Sequence, residues 1–126
     1  MLKVVIESPL AGNFERNIRY ARLCALDCRM RGEAAYASHL LFTQFLDDRS
    51  QEDREFGIAA GFEWARLADL VALYWDLGIS AGMCKAREYW LSIGMKLEPR
   101  KLPRELMTQL SNGFELIATP GHQKDK

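Results

Sequence analysis

Asp69-Leu70-Val71-Ala72-Leu73-Tyr74-Trp75 is the stretch on which the fold turns. From Leu70 onward it is apolar without alternation, so a strand here needs cover on both faces. That pattern belongs to a central strand of a parallel sheet with helices above and below. Toward the N-terminus, Lys3–Ser8 is a β-branched run followed by Pro9, Gly12 and Asn13, a loop whose end can cap a helix. Phe14–Arg31 carries Phe14, Ile18, Ala21, Ala25 and Cys28 at helical spacing and stops at Gly32. Ala34–Leu41 reads as a second strand and Phe42–Asp48 as an irregular loop. Ser50 with Asp53 resembles a capping box opening a helix to about Leu67, with Phe56, Ala60, Trp64 and Leu67 as its apolar face. Beyond the central strand, Gly78, Ser80 and Gly82 turn the chain into a helix ending near Gly94. Met95–Glu98 reads as a last short strand, and Pro103 opens a final helix to about Leu110.

Strands alternating with helices predict an α/β fold, a Rossmann-like (flavodoxin-like) three-layer sandwich with a four- or five-stranded parallel sheet. One domain is expected over residues 1–112, with a C-terminal extension over 113–126 whose end, Pro120–Lys126, reads as disordered. In such sheets ligands lie outside the carboxyl ends of the strands, at the switch point of the winding order. Three loops are selected: Ser8–Asn13, Ser38–Asp48 (with His39, Gln44 and Asp47) and Trp75–Met83. The first and third lead into helix N-termini, which favour an anion.

Composition narrows the partners. The chain has 126 residues, and 17 basic residues balance 17 acidic ones. The long-range field of a nucleic-acid or anionic-membrane binder is therefore missing, and a small ligand or a protein partner fits better. Apolar runs are strand-sized, and Lys3 and Glu7 interrupt the segment where a signal peptide needs an apolar stretch. Cys24, Cys28 and Cys84 form no paired framework, so reduced thiols and a cytoplasmic location are expected. Cys24 and Cys28 share a helical face, but no partner segment follows, and they read as ordinary buried cysteines rather than metal ligands.

Taken in order, Val4-Val5-Ile6-Glu7-Ser8-Pro9-Leu10-Ala11-Gly12, Asn17 with Tyr20-Ala21-Arg22, Ala37-Ser38-His39-Leu40, Trp64 with Ala68-Asp69-Leu70-Val71, and Ser80-Ala81-Gly82-Met83 resemble the nucleoside 2-deoxyribosyltransferase-like superfamily. That superfamily includes deoxynucleotide N-hydrolases and uncharacterised phage and bacterial members, and the resemblance covers residues from about 2 to 100. It implies that the first loop, with Ser8, Pro9, Leu10, Gly12 and Asn13, holds sugar or phosphate, and that Ser80, Gly82 and Met83 bind phosphate or hydroxyls. It also implies a glutamate six residues after the serine, attacking the anomeric carbon. That position is Ala86, or Cys84 in a register anchored on Gly82-Met83, and neither is a carboxylate. Glu88, two residues after Ala86, lies roughly 200° further around a helix and points away. The second carboxylate expected from the resemblance falls on Gly61.

Cleavage of an N-glycosidic bond through an oxocarbenium-like state needs such a carboxylate. The implied function is therefore binding of a nucleoside- or nucleotide-type ligand, sequestering a nucleotide-derived signal or metabolite without turnover. The alternative is an N-glycosidase or 2-deoxyribosyltransferase whose carboxylate is relocated to Asp47, Asp48 or Asp76, with Glu88 as a fallback nucleophile. No cofactor is implied. The resemblance further implies a homo-oligomer, a dimer or larger, and a cytoplasmic location, in the host if phage-encoded; apolar Phe56, Phe62 and Leu67 on the second helix read either as its interface or as core.

Several residues carry two readings. Asp76, at the ligand end of the central strand, either holds ribose hydroxyls or forms the turn before Gly78. His39 is either a ligand contact or proton donor, or a satisfied structural group. Asp69 reads as structural. Trp75 is the candidate for base stacking, whereas Trp64 and Trp90 are turned by helical spacing toward the core or an interface. Arg16 stands out from the basic positions of the first helix by its closeness to the phosphate-binding end.

Overall fold

The computed structural model describes residues 1–111. Four strands, β1 (Lys3–Glu7), β2 (Ala34–Tyr36), β3 (Leu70–Tyr74) and β4 (Leu97–Arg100), form one parallel sheet in the order β2-β1-β3-β4. Five helices accompany them: α1 (Phe14–Met30), α2 (Ser38–Leu41), α3 (Gln51–Ala65), α4 (Ala81–Ser92) and α5 (Arg104–Ser111).

Strand alternation separates the core into two clusters. Val4, Ile6, Leu70, Ala72 and Tyr74 pack against Tyr20, Leu23, Cys24 and Cys28 of α1 and Leu106 and Leu110 of α5. On the other face, Val5 and Val71 pack against Ala65 of α3 and Ala86 and Trp90 of α4. The result is the expected Rossmann-like three-layer sandwich, with every residue of β3 buried. The chain reverses its winding between β1 and β3, so the crevice above their carboxyl ends is the switch point.

Three expectations are corrected. The second strand ends at Tyr36, and Ser38–Leu41 is a helical turn. The ladder with β1 stops at the Val5–Tyr36 pair, and beyond it the amides of Leu40 and Leu41 donate to the Ala37 carbonyl instead. Phe56 and Trp64 on α3, and Leu67 in the turn after it, face outward, 58 %, 61 % and 67 % exposed, while Gly61 and Ala65 face inward. A Cβ at Gly61 would stand in ordinary contact with the Ser38 side chain, 3.4 Å away. The last strand is shifted to Leu97–Arg100; it is an edge strand, where Pro99 is tolerated.

Polar residues also belong to the buried stripe of α1, which includes Asn17 and Asp27, while Phe14 is exposed. Asp27 accepts from the Tyr74 hydroxyl at 2.7 Å and from Arg31. Arg100 is buried and forms a paired contact with both Glu33 oxygens at 2.8 Å, while its Nε donates to Glu98. Among the described residues no helix is long and apolar enough to cross a membrane. The C-terminal extension and its tail lie outside the described residues.

Candidate functional site

β1 delivers the first site residues. Val5 and Glu7 point to the α3/α4 face, and Ser8 and Pro9 follow as buried residues where the strand ends. Asn13 caps α1 by accepting from the Arg16 amide, and the Asn17 amide group donates to the carbonyls of Leu10 and Ala11, which fixes the loop. Gly12 supplies a backbone φ of +99° that side-chain-bearing residues rarely adopt.

Ser8 is 3 % exposed, and its Oγ has no hydrogen-bond partner among the described residues. Its carbonyl accepts a 2.9 Å hydrogen bond from Nε2–H of His39. Since a carbonyl can only accept, that bond fixes the ring as the Nε2–H tautomer when neutral, with Nδ1 as an acceptor. Burial lowers the His39 pKa from its ordinary 6.5; the Ser8 bond and nearby Asp48 oppose that without cancelling it. The imidazole is therefore neutral at pH 7.

His39 also lines a cavity of about 450 Å³, counting its open mouth, between α2 with the following 3-10 turn (Phe42–Gln44) and α3. Leu10, Phe42, Leu46 and Ile58 supply apolar wall; Ser38, Thr43, Asp48, Asp53 and Arg54 supply the polar positions. An apolar wall set with a few polar groups in a concave opening is the composition of a small-molecule site.

β3 and α4 bound the crevice opposite. Ser80 caps α4, its Oγ accepting from the Met83 amide at 3.2 Å, and Gly82 beside it is exposed. Met83 is buried, so its side chain packs inward. Gly78 turns the chain at φ +90°. Asp76 is engaged inside the protein: one oxygen accepts from the Tyr20 hydroxyl at 2.7 Å, and both accept from the Leu102 amide. Trp75 is 40 % exposed, with the Lys101 ammonium 4.1 Å from its ring centroid. Glu88 is exposed on the far side of α4 from buried Ala86, as its spacing predicts, and among the described residues it makes no ion pair with Lys85. Asp69 is a brace, accepting from the Lys3 amide at 2.8 Å. Arg16 donates to Asn17, and its buried Nε has no partner among the described residues.

Ser8, Leu10 and His39 thus come together at the end of β1, and Ser80 and Gly82 stand at the N-terminus of α4, which follows β3, whereas Met83 and Glu88 do not face the strand ends. Sequence reading passed over Glu7. Its side chain accepts a 2.9 Å hydrogen bond from the Trp90 indole, and burial raises its pKa above the ordinary 4.5 despite that bond. Glu7 shares the α4 side of the sheet with Ala86, the position at which the resemblance expects a glutamate. An acid two residues after Val5, on a strand face otherwise turned into the core, was the signal. Tyr36, with a buried hydroxyl lacking a partner among the described residues, ends β2 on the same side and was also passed over.

The sequence model of one family, described as "Domain of unknown function (DUF7768)", matches residues 2–100. No curated protein and no solved structure matches the chain.

Proposed function

The chain belongs to the DUF7768 family, whose description carries no activity, and from that premise we propose that it binds a nucleoside- or nucleotide-type ligand across the carboxyl ends of β1, β2 and β3. The carrying observation is Ser8: a buried hydroxyl without a partner among the described residues, at the switch point, joined through its own carbonyl to a neutral histidine that lines a largely apolar cavity. The polar end of the ligand lies toward the β1–α1 loop, where Arg16 has spare donors, and the α4 N-terminus. Its ring lies toward the cavity.

Binding without turnover is the first form of this proposal, since Ala86 offers no carboxylate and Asp76 is occupied. Glu7 favours the second form, an N-glycosidase or 2-deoxyribosyltransferase, because it places a carboxyl on the α4 face at the end of β1. A thermal-shift screen against nucleosides, deoxynucleotides, cyclic nucleotides and ADP-ribose derivatives, followed by chromatography of each hit, separates the forms. A stabilising ligand recovered intact supports sequestration; base released by the wild type and not by Glu7→Gln supports the enzyme; no hit rejects both. The proposal includes a cytoplasmic location, supported by three cysteines free of disulfides.

A second copy of the chain is the proposed partner for the outward stripe of α3. Antiparallel pairing about Ala60 sets Phe56 of one copy opposite Trp64 of the other. It also sets the first turn of each helix, with Glu52 and Asp53, beside the other's last turn, followed by Arg66.

A further inference from the structure

The cavity between α2 and α3 has an uneven hydrogen-bonding wall. His39 spends its only N–H on the Ser8 carbonyl, leaving Nδ1 as an acceptor. The Thr43 hydroxyl donates to the His39 carbonyl at 2.6 Å, so toward anything else it can only accept. Asp53 commits one oxygen to the Asp47 amide at 2.8 Å and keeps the other. Asp48 is partly buried, and among the described residues no donor is bonded to its carboxylate. Arg54, the wall's one cation, is exposed and directs an N–H to the Asp48 carbonyl at 2.9 Å. His39, Thr43, Asp48 and Asp53 thus offer acceptors, while the donors left are the Ser38 hydroxyl and the remaining N–H groups of exposed Arg54; the acceptors stand among Leu10, Phe42, Leu46 and Ile58, which favour a flat apolar ring.

We propose that this cavity is the subsite for a nitrogen heterocycle bearing an exocyclic amino group, with the amino hydrogens donated to the Asp48 carboxylate and to Nδ1 of His39. The proposal rests on the nucleotide-type reading above and narrows it. Rings of the adenine or cytosine kind fit. A ring with a carbonyl at that position sets one acceptor against another and leaves Asp48 desolvated without a donor.

Calorimetric titration of the full chain with matched pairs differing only at that group, adenosine against inosine and cytidine against uridine, tests it. The amino member of a pair that binds is expected to bind about tenfold or more tightly than its oxo partner. Asp48→Asn, which can donate as well as accept, is expected to erase or reverse that preference while keeping the wild-type melting temperature. Equal affinities within each pair in the wild type, a measurement that needs no variant, overturn the proposal and leave the nucleotide reading standing. So does an Asp48→Asn protein that keeps the full preference. Failure of every nucleoside and of the corresponding nucleotides to bind overturns both.

Discussion

The indole Nε1 of Trp90 donates to Glu7 Oε2 across 2.9 Å, linking the end of β1 to the last turns of α4. Burial nevertheless holds the Glu7 pKa above 4.5. A carboxyl whose pKa is raised by folding stabilises the protein below its unfolded value of 4.5, and that contribution is lost as pH rises through the folded value. Each unit of elevation corresponds to about 1.4 kcal/mol. Glu7→Gln keeps an acceptor for Trp90 and removes the ionisation. Urea midpoints between pH 4 and 8 should fall for the wild type relative to Glu7→Gln as pH rises; parallel curves would mean that Glu7 titrates normally.

Ser8→Ala separates a binding role from a structural one. A hydroxyl with no partner among the described residues contributes nothing to their packing that alanine lacks, so the melting temperature should hold or rise. Ligand-induced stabilisation should shrink. A loss on the order of 1 kcal/mol in the unliganded protein, the usual net worth of a hydrogen bond, would instead show that the hydroxyl has a partner in solution.

Under the proposed function, His39 is expected to set the acid limit of binding. Its pKa is lowered by folding, so its contribution to stability is complete above 6.5 and lost as pH falls through the folded value. Protonation also turns Nδ1 from acceptor into donor, so affinity for an amino-bearing ring should decline over the same acidic range. The chain has 2 histidines, His39 and His122. Removing His122 leaves one imidazole resonance, whose NMR titration should give a midpoint below 6.5, and a midpoint at or above 6.5 would contradict the burial.

Legibility followed the physics of each element. Leu70–Tyr74 announced itself because both faces of a central strand are buried, and the glycines and serine before α4 marked a turn with few alternatives. Periodicity misled on α3, where the regular stripe faces outward and the inward face is built from Gly61 and Ala65, which hydropathy hardly registers. Ser38–Leu41 was ambiguous because four residues carry too little period to separate a strand end from a helical turn. At the site, Ser8 and His39 could be placed by loop position. The occupied state of Asp76 could not, since Tyr20 and Leu102 lie 56 and 26 residues away in the chain.

Arg100 and Glu33 illustrate that gap in the core. Their side chains are 2 % and 10 % exposed and meet at 2.8 Å, and Arg100 also donates to the Tyr74 hydroxyl at 3.2 Å. The Arg100 hydrogen bonds hold Glu33 below the ordinary carboxylate range against a burial effect that raises it. Arg100→Ala strands Glu33 without its partner and should cost about 3 kcal/mol or more in chemical denaturation. Arg100→Ala combined with Glu33→Ala should cost less than the two single changes summed, and strict additivity would mean the pair is uncoupled.

Trp64 tests the assembly. It is 61 % exposed on α3, so in a monomer its replacement by glutamate should alter stability by no more than about 0.5 kcal/mol. In a dimer paired through α3, the same change buries a carboxylate against Phe56 of the other copy, where nothing neutralises it, and association should be lost. Light scattering after size exclusion should therefore give a dimer mass for the wild type and a monomer mass for Trp64→Glu. Because the dimer adds a concentration-dependent term to folding, the wild-type melting temperature should rise with protein concentration and that of Trp64→Glu should not. A wild type that stays monomeric at high concentration would reject the interface. A Trp64→Glu protein that stays dimeric would place the contact elsewhere.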